Sequence, residues 1–386
     1  MNTKEFTEKY YVNRKNSDCI KWDNQLAKGT LPMWIADADF KAPEKVIESM
    51  TEKLQHGAYG YGFLPNDYFE QMIKWNEKIS GITYKEEWIR FSKGAIDGLS
   101  QIVYCLTKEN DGILINTPVY HPFSETVKSA KRKLVISPLI RKGTDFKMNF
   151  KDIENKIVKN NVKMMVFCSP HNPIGRVWTK DEIEQLFAIT HKHKVLVVSD
   201  EVHSELIMPG YKFIPSLSFK KYENEIITLN AESKTFSLAL FSHCHVIIPN
   251  KALRTKFDKY QNDHHCSSPN AFNGLSSYYS YIYGQDWLSG FIATINENYQ
   301  YMKKALADYC DLPELQGSYL VYIDFSKSLK EGTAYNFLMD KCKIYVNPGE
   351  QFGKGYEKWA RFNLATSLAN IKKACNIIKK QLKDTK

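Results

Sequence analysis

The chain has 386 residues, 43% of them apolar and 25% charged, and a net charge of +10. That length exceeds one ordinary core, so a large domain and a smaller one are expected, with the composition of a globular protein. The positive charge is diffuse, with Lys131-Arg132-Lys133 as its longest cluster, which argues against a nucleic-acid face.

No apolar run reaches the ~18 residues needed to span a bilayer, and the opening MNTKEFTEKYYVNRKN lacks the apolar stretch of a leader. The eight cysteines show no CxxC spacing, and Cys105, Cys168 and Cys244 lie in apolar runs. Free thiols in a reducing compartment are expected, hence a cytoplasmic location with no membrane partner.

In chain order, residues 1–30 read as an irregular arm carrying Arg14 and Lys21-Trp22-Asp23. The segment 31-LPMWIADADF-40 is apolar and turns acidic, ahead of a helical pattern over 44–54. The stretch 58-AYGYGF-63 is too glycine-rich for a regular element, so its tyrosines are presented from a loop. From residue 88 onwards, apolar runs at 88–91, 113–115, 134–136, 162–168, 195–198, 226–229 and 245–248 alternate with helical patterns. One helix has a clear start, because Thr179 and Glu182 form a capping box. Nearly continuous apolar strands alternating with helices predict an α/β fold with a mostly parallel sheet covered on both faces. After residue 285 the pattern becomes a long helix over 287–307, strands at 319–325, 344–346 and 360–364, and a closing helix, which predicts a smaller α+β domain. The expected division is an arm and part of the small domain at 1–45, a large domain at 46–284 and a small one at 285–386.

Ligands of such sheets sit beyond the carboxyl ends of the strands, and several reactive residues fall there. In 195-VLVVSDEVHSEL-206 an apolar run delivers Asp200 to the sheet edge, with His203 following. A buried carboxylate needs a cationic partner, which a protonated pyridine nitrogen, a salt bridge or a helix N-terminus would each supply. In 91-FSKGAIDGLSQIVYCL-106 a strand feeds Gly94 and a helix follows, a junction that offers backbone N–H groups to a phosphate. The dinucleotide and triphosphate glycine motifs are absent. Prolines bracket Tyr120 in 116-NTPVYHPF-123 and Asn172 in 167-FCSPHNPIGRVW-178, where an aromatic ring and an amide can be fixed toward a planar ligand, although core packing and turn chemistry select the same residues. In 226-IITLNAESKTFSLALF-241 a buried strand breaks into a polar gap holding Lys234. Arg361 occupies a strand position in 358-KWARFNLATS-367, suited to a carboxylate or to an ion pair between domains. The histidine pairs at 191/193, 243/245 and 264/265 have no partner motif, so no metal site is expected. An amine, an acid, an amide and an anion-binding loop at strand ends are the parts that hold pyridoxal phosphate.

These stretches, with PMWIADADF, YGYGFLP, TPVYHPF, SPHNPIGRVWT, SDEVHSEL, SKTF and PGEQFG in this order, resemble the aspartate-aminotransferase superfamily of pyridoxal-phosphate enzymes of fold type I. More narrowly they resemble its cystathionine β-lyase and cysteine-S-conjugate lyase branch, which includes cystalysin. The resemblance implies that Lys234 binds the cofactor aldehyde, that Asp200 partners the pyridine nitrogen, that Tyr120 stacks on the ring and that Asn172 bonds its phenolic oxygen with His203 nearby. It implies a phosphate held by the amides of Gly94, Ala95 and Ile96 with Ser233, and by Tyr61 of a second subunit, hence a homodimer. Arg361 would clamp the α-carboxylate of an amino-acid substrate, helped by Asn172 and the backbone of Ile35 and Ala36. The implied reaction is β-elimination from cystathionine or a cysteine conjugate to thiol, pyruvate and ammonia; transamination on the same scaffold and cofactor binding for regulation are the competing readings. The chain departs from the family pattern at Lys93, Asp97, His121, Ser237, Leu240 and Ala365-Thr366-Ser367.

Overall fold

The computed structural model describes residues 1–23, 27, 29–267 and 269–383. Its centre is a seven-stranded sheet of β1 (Ile89–Ser92), β2 (Gly112–Ile115), β3 (Lys133–Ile136), β4 (Val162–Cys168), β5 (Leu196–Asp200), β6 (Ile226–Asn230) and β7 (Cys244–Ile247), in the order β1-β7-β6-β5-β4-β2-β3. Only β7 runs against its neighbours; the other pairings are parallel. The apolar runs anticipated from the sequence are these strands, shifted by one or two residues at some ends. Side chains alternate across the sheet as a strand requires. Met164, Val166 and Cys168 join Val198, Ile227 and Leu229 in one core layer. Met165 and Phe167 join Val197 and Ile226 in the other, so both faces are buried under helices.

The C-terminal part is built on the helix Gln285–Leu306 and a three-stranded antiparallel sheet of β8 (Leu320–Asp324), β9 (Asn347–Pro348) and β10 (Trp359–Asn363), ordered β8-β10-β9. The single strand expected at 344–346 is split. Ile344–Tyr345 pairs in parallel with Leu31–Pro32 from the N-terminal arm, Val346 belongs to no strand, and Asn347–Pro348 pairs with β10 instead. Pro348 lacks an N–H and accordingly sits on the edge strand. A short hairpin, Ile140–Lys142 with Asp145–Lys147, was not expected, because its residues carry no apolar alternation. The capping box at Thr179 and Glu182 is present. Among the described residues, no helix is long and apolar enough to cross a membrane.

The arm is less irregular than its composition suggests. A capping box at Asn2 and Glu5 starts the helix Thr3–Tyr10, whose Phe6 is wholly buried against Trp287 and Phe291. Beyond it, Lys21 is buried and pairs with Asp39 at 3.0 Å, and Arg14 pairs with Asp37 at 2.6 Å. The arm thereby holds the 34–39 turn against the rest of the chain. Contact between the first helix and Gln285–Leu306 depends on Gly290, where a Cβ would stand 2.5 Å from the Phe6 ring. Gly290→Ala should therefore displace Phe6 and cost about 1 kcal/mol net, overpacking outweighing the gain in helix propensity. Limited proteolysis should release the N-terminal helix sooner than in the native chain, and unchanged cleavage there would contradict this packing.

A candidate active site at the carboxyl ends of the strands

Strand ends bring the chemistry together. β5 carries buried Val197, Val198 and Ser199 up to Asp200 at its end. β4 runs into the Ser169-to-Asn172 turn, and β6 into the turn that holds Lys234. β1 feeds Gly94, which opens the helix Ala95–Leu106 with no side-chain cap. Because β7 is antiparallel, its amino end delivers Ser242 and His243 to the same edge. These elements surround a cavity of about 330 Å³ lined by Gly94, Ala95, Ile96, Tyr120, Asn172, Asp200, His203, Ser233, Lys234 and Ala36, all of them residues that the sequence singles out. Lys93, Asp97, Cys168, Val202, Ala231 and Ala239 complete the wall.

The anion end of this cavity follows from helix geometry. The Gly98 N–H makes the first helical bond, to Gly94 O, so the N–H groups before it have no helical partner. A Cβ at Gly94 would meet no protein atom within 4 Å, leaving that space open. At Gly98 a Cβ would stand 2.8 Å from Ser92 Oγ and 3.2 Å from Leu229 and Val246, so glycine there lets the helix start lie directly on the sheet. Asp97 accepts from the Lys93 N–H at 2.9 Å and from Gln101 Nε2 at 2.8 Å, which ties down the loop entering the helix.

Arg361 stands behind Asn172. Its Nη1 donates to Asn172 Oδ1 at 3.1 Å, and its Nη2 to Trp34 O at 3.0 Å and Asn347 Oδ1 at 2.6 Å. Its Nε–H is buried without an acceptor, and Phe352 lies 5.0 Å below the guanidinium. The backbone of Ile35 and Ala36 is close, but its carbonyls serve the protein: Asn363 Nδ2 donates to Ile35 O at 2.6 Å and Lys234 Nζ to Ala36 O at 3.1 Å. Tyr61 is fully exposed and does not line this chain's cavity. Sequence reasoning missed Asn347, although it precedes a proline just as Asn172 does, and that shared pattern was the available signal.

Burial dominates the electrostatics. It pushes the Lys234 amine below its ordinary value, an effect that Asp37 and Asp200 oppose and Arg361 reinforces. It raises the Asp200 carboxyl to about 6, against the pull of the Val202 N–H and Lys234. Among the described residues no protein cation lies within ion-pair distance of Asp200, so the protein itself does not supply the partner expected from the sequence. Burial also lowers His203 to about 3, which keeps its imidazole neutral, and its Nδ1 has no hydrogen-bond partner. Arg361 is lowered to about 10 by burial and stays cationic at neutral pH.

Behind the Lys234 turn lies a polar network that the sequence did not reveal. The buried Tyr68 hydroxyl bridges His243 Nε2 at 2.9 Å and His245 Nε2 at 2.7 Å. Glu232 accepts from the hydroxyls of Ser277 and Tyr281 and lies 4.0 Å from His245 Nδ1. Ser237, where the family pattern has Asn, adopts φ +62°, a left-handed conformation that asparagine tolerates better than serine. Leu240 is exposed, and Thr366 is buried with its carbonyl accepting from Asn298.

The family model for aminotransferase class I and II matches residues 35–378, and the chain belongs to that family. It is 32% identical over 380 residues to the cystathionine beta-lyase PatB of Bacillus subtilis, covering 96% of this chain and 98% of that protein. Its fold superposes on cystalysin from Treponema denticola, which contains pyridoxal 5'-phosphate, with a TM-score of 0.93 and 30% identity over 97% of this chain and 98% of that one. The PLP-bound C-S lyase of Staphylococcus hominis gives a TM-score of 0.90 and 28% identity, covering 96% of each chain.

The buried network makes a pH-dependent prediction. Burial raises the Glu232 carboxyl from 4.5 to about 7. A carboxyl that holds its proton longer when folded subtracts stability as pH rises from 4.5 to about 7, and the deficit persists above that range. Glu232→Gln keeps partners for Ser277 and Tyr281 and cannot ionise. It should gain on the native protein across this window, by up to roughly 3 kcal/mol at about pH 8. Urea unfolding of both proteins at about pH 5 and pH 8 measures the difference, and an offset that does not change with pH would contradict it.

Proposed function

We propose that this chain is a pyridoxal-phosphate-dependent carbon–sulfur β-lyase that splits cystathionine or related cysteine conjugates into a thiol, pyruvate and ammonia. The observation that carries the reading is one cavity holding the Lys234 amine and a buried Asp200 carboxylate that has no cation at ion-pair distance among the described residues, with the Arg361 guanidinium behind it. When bound, pyridoxal phosphate supplies an aldehyde for amines and a protonated ring that draws electrons from the substrate Cα. Lys234 would hold the aldehyde, and Asp200 the ring nitrogen that completes its missing ion pair. Since Asn172 Oδ1 is taken by Arg361, its Nδ2 is left to donate to the ring oxygen. The Gly94, Ala95 and Ile96 amides with Ser233 would hold the phosphate, Tyr120 would cover one face of the ring, and neutral His203 would lie beside it.

In this reading Arg361 would grip the substrate carboxylate with its free N–H groups and so orient the amino acid in the cavity. The lowered Lys234 Nζ then takes the Cα proton, since a desolvated amine has a larger neutral fraction near pH 7. Sulfur leaves as thiolate, a better leaving group than hydroxide, and water hydrolyses the released enamine to pyruvate and ammonia. Lys234→Ala should abolish pyruvate formation from L-cystathionine, and borohydride should fix the cofactor onto a Lys234 peptide of the native enzyme only. Pyruvate release that persists in the variant, or product that requires a keto-acid acceptor, would overturn the lyase assignment.

Amino-acid recognition by Arg361 goes with a homodimer. Tyr61 is exposed together with Tyr59 and Phe63 on the 57–63 loop, and Leu240 is exposed next to the cavity wall. A cluster of this kind is suited to burial against a second copy, with Tyr61 reaching the partner's phosphate end. Mixing Lys234→Ala subunits with Tyr61→Ala subunits should then restore lyase activity, because each mixed dimer has one site with both side chains intact. No recovery in verified mixed dimers would place Tyr61 outside the partner site. All eight cysteines are free thiols, which supports a cytoplasmic location.

A further inference from the structure

The His121 imidazole belongs to no step above, yet it ends a chain of side-chain amides that begins at Arg361. Asn347 Oδ1 accepts from Arg361 Nη2 at 2.6 Å. Asn347 Nδ2 donates to Gln351 Oε1 at 3.1 Å, and Gln351 Nε2 faces His121 Nε2 at 3.1 Å. Chemistry fixes the direction of each link. A guanidinium has no lone pair to offer, so Asn347 must turn its oxygen toward Arg361. Its NH₂ group then points at Gln351, which must answer with oxygen and so presents its own NH₂ group to His121. The imidazole can complete the series only by accepting at Nε2, with its proton on Nδ1.

We infer that His121, acting through Gln351 and Asn347, is a positioning residue for Arg361 and makes the grip on the substrate carboxylate depend on the protonation state of this imidazole. The inference rests on the reading of Arg361 as the carboxylate clamp. When His121 gains a second proton, its Nε2–H faces the Gln351 NH₂ group, donor against donor. Turning Gln351 moves the conflict to Asn347, and turning Asn347 presents NH₂ to the guanidinium. One link of a partly buried chain is lost in every arrangement.

The surroundings of the imidazole favour the neutral form. Burial lowers its pKa and nearby Arg361 adds to this, while Glu125, 3.9 Å away on the helix Pro122–Ser129, opposes it. The rings of Tyr120 and Phe352 pack at 5.4 and 6.3 Å. Near neutrality the relay is therefore set, and acidification through the His121 pKa releases it.

Steady-state kinetics of the holoenzyme with L-cystathionine, comparing native protein with His121→Gln, test this. A glutamine amide can rotate its oxygen toward Gln351 at any pH. The ratio of native KM to His121→Gln KM should rise about tenfold between about pH 7.5 and pH 5, the scale of one charge-assisted hydrogen bond, with the kcat ratio flat. A flat KM ratio, or a change carried by kcat, would overturn the proposal. Nitrogen NMR of selectively labelled histidine decides the relay even where no pyruvate forms. Neutral His121 should carry its proton on Nδ1, and its pKa should rise in Gln351→Glu, whose carboxylate can only accept. An Nε2-protonated neutral ring, or a pKa unmoved by Gln351→Glu, would overturn it equally.

Discussion

A guanidinium can only donate hydrogen bonds, and Arg361 is 3% exposed, so the chain has to bring acceptors to it. They arrive from three separated stretches. Trp34 lies in the turn held by the N-terminal arm, Asn172 in the turn after β4, and Asn347 in the edge strand of the small sheet. One buried cation thus draws the arm, the large sheet and the C-terminal part to a single point. The Lys21–Asp39 and Arg14–Asp37 pairs serve the same end, because they fix the turn that presents the Trp34 carbonyl.

Around that point the site lies inside the fold, and the chemistry follows from that burial. Burial acts on Lys234, Asp200 and His203, and each shifts toward its neutral form. An amine short of solvent is a better base. A carboxylate short of solvent and of a protein cation is a strong acceptor for a protonated ring nitrogen. The carboxyl of Glu232 and the hydroxyl of Tyr68 extend the same regime behind the lysine turn, where hydrogen bonds rather than charges satisfy the groups. Arg361 keeps its charge, since even at about 10 its pKa lies well above neutrality.

Much of the fold was legible because strand burial on both faces leaves an uninterrupted apolar signature, as at Val162–Cys168 and Ile226–Asn230. Site residues were legible where a strand end or a proline fixed them, as for Asp200 and Asn172. Legibility failed where pairing is set by distant residues. The run at 344–346 reads as one strand, yet only Ile344–Tyr345 pairs, with Leu31–Pro32, and the following Asn347–Pro348 pairs with β10. Asn347, Gln351 and His121 carry no local periodicity at all, and they come together only because the segment 347–351 meets the start of the helix Pro122–Ser129.

The sequence by itself determined the α/β layering, the seven strands and the set of reactive side chains at their carboxyl ends, since hydrophobic period and proline chemistry act within a few residues. Tertiary structure alone decided which of those side chains lose water, which acceptors Arg361 receives and which way each amide in its neighbourhood points. Desolvation and hydrogen-bond direction are properties of groups brought together from far along the chain, and no local stretch encodes them.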